Sequence, residues 1–240
     1  MRLVRWLAWS VGLLFLVGTA LQLVDFFDLY TTPPDIPESL NMVERRLAIQ
    51  DYRVAIWPVF LLSNLATGVG FMAVTALGLA LSGHVGRDDS RRVGIAAGLG
   101  MAGIFGAVAQ LLVIGAAQPT IDSAYCDCGF KETEIVSQIW GQQLIESASR
   151  WLTDAAGVLA AIGVVAAGTA FRDRMPASWN FFSWLTAIGL VAAVAIPFLQ
   201  ISPELDMWVL VAVAGVIVPI WAVWLGATLR AGHELETDPA

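Results

Sequence analysis

The two cysteines of the chain are the residues whose spacing most directly suggests chemistry. Cys126 and Cys128 are separated by a single residue, and the chain has no others. A disulfide between them would close a small ring, and strained disulfides are the more easily reduced ones, so thiol redox exchange is one interpretation. Two thiolates also bind soft metals, but only acids lie nearby to complete a site. We favour a local staple or a bond to another chain, and expect no metal site and no catalytic residue.

A second group of polar residues lies within long apolar stretches, and all of its members fall towards the same end of those stretches. The group consists of Gln22, Asn64, Gln110, Asp154 and Gln200. Pro58 and Pro197 lie in the same outer portion and can free backbone carbonyls there. The pattern suggests an outward-facing polar cavity that takes a small neutral molecule or a lipid headgroup. The interpretation that we favour is simpler, namely that the amides form hydrogen bonds between helices.

The apolar stretches that carry these residues are long enough to cross a membrane, since about 20 apolar residues span ~30 Å of hydrocarbon. With 58% hydrophobic and only 14% charged residues, the chain is not an ordinary soluble domain. We predict an all-α polytopic membrane protein, a six-transmembrane-helix bundle that forms one domain over residues 1–240. The predicted spans are residues 4–24, 54–82, 93–117, 151–172, 179–201 and 207–230.

The first span also has features of a cleaved signal peptide, namely a basic start and the small residues Gly18–Thr19–Ala20. Its apolar stretch is longer than a signal core needs, so we expect a retained anchor.

Arginine distribution predicts the orientation. The short connections on one side, together with both terminal segments, carry Arg2, Arg5, Arg87, Arg91, Arg92, Arg172, Arg174 and Arg230. The positive-inside rule makes this side cytoplasmic, so both termini are expected inside the cell. Arginine is far commoner than lysine, and Ala, Gly and Val are abundant, which suits a bacterium with a GC-rich genome and hence its cytoplasmic membrane.

The two longer connections, residues 25–53 and 118–150, lie on the opposite side. Both show apolar residues at helical spacing with acids offset from them, which predicts two amphipathic extracytoplasmic helices. Interfacial helices usually carry Lys/Arg-rich polar faces, whereas these faces are acidic, so we expect the segments to cap the bundle.

A stripe of small residues in the third span predicts close helix packing. Gly94, Gly98, Ala102 and Gly106 recur every four residues, and small residues at this spacing let two helix backbones approach. The fourth span is also rich in Ala and Gly, which makes these two spans the expected centre of the bundle.

The middle of every predicted span lacks Asp, Glu, Lys, Arg and His, which argues against a proton-coupled pump, a voltage sensor and a metal site in the bundle. His84 and His233 lie in polar segments, so paired haem ligands within the bundle are excluded. We expect no cofactor and no nucleic-acid partner. The lipid bilayer is the expected partner, with another membrane protein or a second copy as further candidates.

Three functions stay open. The first is a non-enzymatic membrane protein that acts through protein or lipid contacts. The second is a carrier or receptor for a small neutral ligand or lipid headgroup. The third and most remote is an extracytoplasmic thiol-redox protein.

The last span contains Pro219-Ile220-Trp221-Ala222-Val223-Trp224-Leu225-Gly226. This segment resembles the closing P-x-W-x-x-x-L-G pattern of a domain-of-unknown-function group of six-span bacterial membrane proteins. The resemblance covers one helix and implies a fold, but no activity.

Overall fold

The computed structural model describes residues 1–32, 34–37, 39–41, 44–45, 48–86, 89–126, 132–199 and 203–235. Within these ranges the regular structure is entirely helical. The helices are α1 (Arg2–Phe26), α2 (Gln50–Ser82), α3 (Ser90–Cys126), α4 (Glu132–Ala170), α5 (Ala177–Phe198), α6 (Pro203–Ala212) and α7 (Val218–Leu235), with a π-helical turn, Val213–Ile217, joining α6 to α7.

Six stretches of these helices are long and apolar enough to cross a membrane, which confirms the predicted span count. They are Arg2–Phe26, Tyr52–Ser82, Ser90–Pro119, Val136–Ala170, Ala177–Phe198 and Trp208–Thr228. The last runs through the π-helical turn, and we call it the last span. Large apolar side chains face outward along these stretches, with Leu13 61%, Phe181 71% and Ile188 63% exposed. Such a surface suits hydrocarbon, since soluble proteins rarely expose large apolar patches.

The six spans form a closed ring in which neighbours in sequence are neighbours in space. Each of α1 to α4 packs on the helix that follows it, α5 contacts the last span, and the last span returns to α1. Antiparallel packing of this kind is favoured by the short connections that follow α2 and α4.

The arginine-bearing turns lie together at one end of the ring. The Met1 nitrogen lies 3.4 Å from His84 Nε2, in the turn after α2, which places the start of α1 beside that turn. Arg91, at the start of α3, donates from Nη1 to the carbonyl oxygen of Thr169 at 2.8 Å, near the end of α4. We call this the arginine end, and the opposite one the far end.

Helices α3 and α4 are much longer than a membrane is thick. They contain 37 and 39 residues, respectively. At 1.5 Å per residue they measure about 55 and 58 Å, against ~30 Å of hydrocarbon, so both extend well beyond the spans predicted for them. The described part of residues 118–150 is helical because α3 continues to Cys126 and α4 begins at Glu132. It is a continuation of the spans rather than a pair of separate elements.

Residues 25–53 are described only in part. The backbone N–H of Asn41 donates to Glu44, and the N–H of Glu44 donates to the Asn41 side chain, both at 2.9 Å. This reciprocal pair is a capping box, which marks the start of a helix.

Candidate functional site

Two of the predicted amides occupy neighbouring turns of the interface between α2 and α3. Asn64 is 6% exposed, and its Nδ2 donates to the carbonyl oxygen of Phe60 in its own helix at 2.7 Å. Gln110 of α3 packs against Gly68, where an added Cβ atom would lie 3.4 Å from Gln110 Cβ. Because Gly68 lies one turn after Asn64, both amides belong to this helix pair. Neither lines the two cavities described below.

The other members of the predicted group lie apart from this pair. Gln22 is half-buried in α1, and Asp154 is half-buried in α4, where it lines a cavity inside the bundle. Gln200 lies outside the described residues. The five residues therefore remain a predicted site, of which the structure places Asn64 and Gln110 at one interface.

A cavity of about 460 Å³, with several charged side chains in its wall, opens at the far end of the bundle, and we call it the outer cavity. Its walls come from the end of α1, the loop that follows, the first turns of α2, the middle of α3 and the first half of α4. The lining residues are Asp25, Pro34, Ile36, Ile49, Tyr52, Arg53, Ile56, Trp57, Phe60, Val113, Ala117, Gln142 and Glu146.

Charges of both signs face the outer cavity. Arg53 is half-buried, and no hydrogen bond or ion pair within the described ranges reaches its guanidinium, although the charge of Glu146 acts on it. Glu146 accepts a hydrogen bond from Gln142 Nε2. On the other wall, the Tyr52 hydroxyl donates to Asp25 Oδ1 over 3.5 Å. The cavity thus offers two carboxylates and a guanidinium whose donors have no partner among the described residues.

Apolar and aromatic side chains form the rest of the outer cavity. Trp57 and Phe60 are stacked, with ring centroids 5.7 Å apart and planes 24° apart. Ile56, Val113 and Ala117 continue this surface along α2 and α3. A ligand with a charged head and an apolar body would therefore find complementary surfaces for both parts.

A second cavity, of about 120 Å³, lies inside the ring, and we call it the central cavity. All six spans contribute to its wall, from Val11 on α1 to Trp221 on the last span. Its surface is apolar apart from a few polar groups, among which Asp154 is the one ionisable residue in the described lining.

The small-residue stripe of α3 contacts two different helices. A Cβ atom on Gly94 would lie 3.0 Å from Ala166 Cβ, and one on Gly98 would lie 2.5 Å from the Gly163 amide nitrogen, both on α4. Gly106, in contrast, faces the ring of Phe71 on α2. Ala102, between them, is fully buried. The stripe therefore crosses from the α4 side of α3 to the α2 side.

The cysteine motif falls at the limit of the described structure. Cys126 is the last residue of α3, and Cys128 lies outside the described residues. The disulfide and redox interpretations therefore stay predictions. In the ranges that the structure describes, no group of three or more His, Cys, Asp or Glu side chains is placed to hold a metal ion.

An ion pair at the arginine end holds the α2–α3 turn. Arg91 Nε donates to both carboxylate oxygens of Asp89 at 2.8 Å, and the Arg91 backbone N–H donates to Asp89 Oδ1 at 2.9 Å. These hydrogen bonds lower the pKa of Asp89 below its ordinary value, and the bond from the Arg91 side chain has a larger effect than the bond from its backbone N–H. The same arginine binds Thr169, so Asp89 orients the side chain that joins α3 to α4.

The charged residues of the outer cavity were not singled out by the sequence analysis. Asp25, Arg53 and Glu146 flank predicted spans, where charged residues are ordinary. Their convergence depends on the ring arrangement and on the extension of α4 beyond the membrane. The charge of these residues is visible in the sequence, but it does not distinguish a residue of a binding site from any other charged residue at the end of a span.

The fold and the two cavities define a multi-pass helical membrane protein with an apolar interior and a charged recess at one end. The chain matches no family model, no curated protein and no solved structure. Its function must therefore be argued from the site itself.

Proposed function

We propose that this protein is a non-enzymatic lipid-binding membrane protein whose outer cavity takes the zwitterionic headgroup of a phospholipid. One observation carries the proposal: the half-buried guanidinium of Arg53 has no hydrogen-bond or ion-pair partner in the described structure, and it lies in a cavity that also contains Asp25 and Glu146. A zwitterionic headgroup carries an anion and a cation that match these two kinds of charge.

The phosphate would bind Arg53, because a guanidinium presents paired donors that suit phosphate oxygens. The ammonium group would then lie towards Asp25 and Glu146. The stacked rings of Trp57 and Phe60 would contact the glycerol and the first methylenes of the acyl chains, since tryptophan, with its polar N–H edge, favours the headgroup level and phenylalanine adds apolar surface.

The proposed orientation puts the outer cavity outside the cell. The arginine end faces the cytoplasm of a bacterium, with both termini inside, in keeping with the positive-inside rule. Residues 25–53 and 118–150 are then extracytoplasmic, and the loop after α1 and the first half of α4 supply walls of the outer cavity on that side. The ligand would enter from the outer leaflet, through the gap between these segments.

Binding of short-chain lipids to the purified full chain in detergent tests the proposal. We would compare dioctanoyl phosphatidylethanolamine with dioctanoylglycerol, which lacks the headgroup, by native mass spectrometry. The phospholipid should bind at least tenfold more tightly, since a hydrogen bond to a charged group contributes about 1.5–3 kcal/mol.

A matched pair of substitutions locates the binding site. Arg53→Gln removes the guanidinium from the outer cavity and should abolish the preference for the phospholipid. Arg150→Gln removes an exposed arginine of α4 that does not line this cavity, and should leave the preference unchanged. Equal binding of the two lipids, or equal effects of the two substitutions, would contradict the proposal.

A further inference from the structure

The central cavity is a second binding site of different character. Most of its wall is hydrocarbon, supplied by side chains such as Phe15, Leu99 and Val194. Asp154, one turn after Arg150 on α4, adds a carboxylate to this wall. A carboxylate is not needed to pack this apolar wall, so its presence there indicates a role other than packing.

No group in the described structure satisfies this carboxylate. Neither a hydrogen bond nor an ion pair reaches Asp154 in the ranges that are described, and Arg150, whose charge acts on it, is itself exposed. An ionised carboxylate costs free energy in apolar surroundings unless a cation or hydrogen-bond donors accompany it. A cation that enters the cavity would remove that cost and would be held there for the same reason.

The size and shape of the cavity limit the ligand. Its volume of about 120 Å³ is close to that of a ~150 Å³ protein cavity known to hold benzene. Along α4 the lining runs from Asp154 to Val164, about 15 Å at the helical rise, so the cavity is long rather than round. A ligand with one aromatic ring or a short alkyl chain fits these dimensions.

Aromatic rings add to the attraction for a positive charge. Phe15 and Phe71 pack edge to face, with ring centroids 5.0 Å apart, and both line the cavity. The faces of such rings attract cations, most strongly where water is excluded.

We propose that the central cavity binds a small lipophilic cation, an aryl- or alkylammonium compound, with its charged nitrogen at Asp154 and its apolar part against the inner wall. This site is independent of the outer cavity, with which it shares no lining residue. The site selects a ligand that is both apolar and cationic. A neutral apolar ligand would leave the Asp154 carboxylate without a counter-charge, and a cation without an apolar part would leave the apolar wall uncovered.

The test uses radiolabelled benzyltrimethylammonium and equilibrium dialysis against the full chain in lipid nanodiscs. Unlabelled benzyltrimethylammonium and its uncharged carbon analogue, neopentylbenzene, serve as competitors. We expect the cation to compete at least tenfold better than the neutral compound. This comparison uses the unaltered protein, so it does not depend on how any variant folds.

Three substitutions then assign the site. Asp154→Asn removes the charge and should weaken binding at least tenfold. Ala160→Phe fills the cavity from the same helix and should abolish binding. Arg150→Gln leaves the cavity unchanged and should bind as the unaltered chain does, or more tightly. Thermal unfolding of each variant shows whether it has retained its fold.

The other outcomes overturn the inference. Equal competition by the neutral compound would mean that the cavity takes hydrocarbon, such as a lipid acyl chain, and that the charge has no part in binding. Loss of binding in Arg150→Gln equal to that in Asp154→Asn would mean that Asp154 serves to hold Arg150. Loss of cation binding in Glu146→Gln, with Asp154→Asn unchanged, would assign the ligand to the outer cavity, where Glu146 is one of the carboxylates.

Discussion

Gly98 of α3 lies directly against Gly163 of α4, backbone to backbone. A Cβ atom added to Gly98 would lie 2.5 Å from the amide nitrogen of Gly163 and 2.6 Å from its Cα atom. Side-chain atoms can turn away from such a contact, but two helix backbones can only separate. In a membrane, where lipid removes most of the hydrophobic drive between helices, close packing of this kind is a main source of stability.

Gly98→Ala should therefore destabilise the bundle. The added methyl group forces α3 and α4 apart, and overpacking of a closely fitted interface typically costs about 1–3 kcal/mol. Unfolding in mixed micelles with increasing mole fraction of sodium dodecyl sulfate, followed by circular dichroism, measures the difference in the free energy of unfolding.

Gly100→Ala is the matched control for this prediction. Gly100 lies two residues further along α3, and no atom lies within 4 Å of the position that its Cβ would take. Alanine favours a helix over glycine by about 1 kcal/mol, so this substitution should be neutral or stabilising. If the two substitutions lower stability equally, the Gly98–Gly163 contact is not what holds the helices together.

Ser183→Ala should destabilise the bundle by about 1–3 kcal/mol, because it leaves a buried donor without a partner. Trp221 Nε1 donates to Ser183 Oγ at 3.0 Å, and both residues are almost completely buried. Trp179 stacks on Trp221, with ring centroids 6.0 Å apart, but its own Nε1–H is a donor and therefore offers no acceptor in exchange.

Ser147→Ala, measured in the same sodium dodecyl sulfate titration, is the comparison for Ser183→Ala. Ser147 is exposed, and its hydroxyl donates to the carbonyl oxygen of Gln143 in its own helix at 2.8 Å. Its loss should change the free energy of unfolding by less than about 0.5 kcal/mol, as is usual for surface substitutions. A smaller effect at Ser183 than at Ser147 would contradict the assigned role of the Trp221 hydrogen bond.

The six spans could be predicted from the sequence because the thickness of hydrocarbon fixes how many apolar residues each must have. The distance by which α3 and α4 extend beyond the hydrocarbon could not be predicted in this way, because the thickness of the membrane sets no length for the helical residues outside it. The helices that the small-residue stripe contacts could not be predicted from the sequence either. Four-residue steps exceed the helical repeat of 3.6, so the stripe turns by about 40° at each step. Gly98 thus faces α4, whereas Gly106 faces Phe71 of α2.

The candidate site was harder to predict than the fold. The sequence draws attention to Asn64 because an amide in a span stands out, yet a helix lets this side chain bond to the carbonyl oxygen of Phe60 one turn earlier. Arg53 and Glu146 do not stand out, because charged residues commonly flank spans. They reach the same cavity only through the packing of α2 beside α3 and of α3 beside α4.

Arg91→Gln should raise the pKa of Asp89 towards its ordinary value of 3.8, since the hydrogen bonds from Arg91 are what lower it. Carbon-13 NMR titration of labelled aspartate carboxyl groups measures the change. The sign follows from the lowered pKa: the pair stabilises the folded turn at pH values above 3.8, and this contribution is lost as the pH falls through the lower pKa of the folded protein.

Arg92→Gln provides the comparison for this titration. Arg92 is half-buried and adjacent in sequence, and its backbone N–H donates to the Asp89 carbonyl oxygen at 3.0 Å, but within the described ranges its side chain makes no hydrogen bond to the Asp89 carboxylate. The pKa of Asp89 should therefore stay low in this variant. An equal rise in both variants would show that the net positive charge of the turn, rather than the Arg91 hydrogen bonds, sets the pKa.

Labelling of cysteines in intact cells tests the proposed orientation. Cys126 ends α3 at the far end of the bundle, whereas Asp173 lies exposed in the turn between α4 and α5 at the arginine end. After treatment with an impermeant reductant, an impermeant maleimide should modify Cys126 in intact cells. With both native cysteines changed to alanine, Asp173→Cys should react only after lysis, because the membrane then no longer shields it.

The reverse pattern would place the arginine end outside the cell, against the positive-inside rule, and would move the outer cavity to the cytoplasmic leaflet. Phospholipid would then have to enter from the inner leaflet, while the central cavity, which lies within the ring of spans, would keep its proposed ligand.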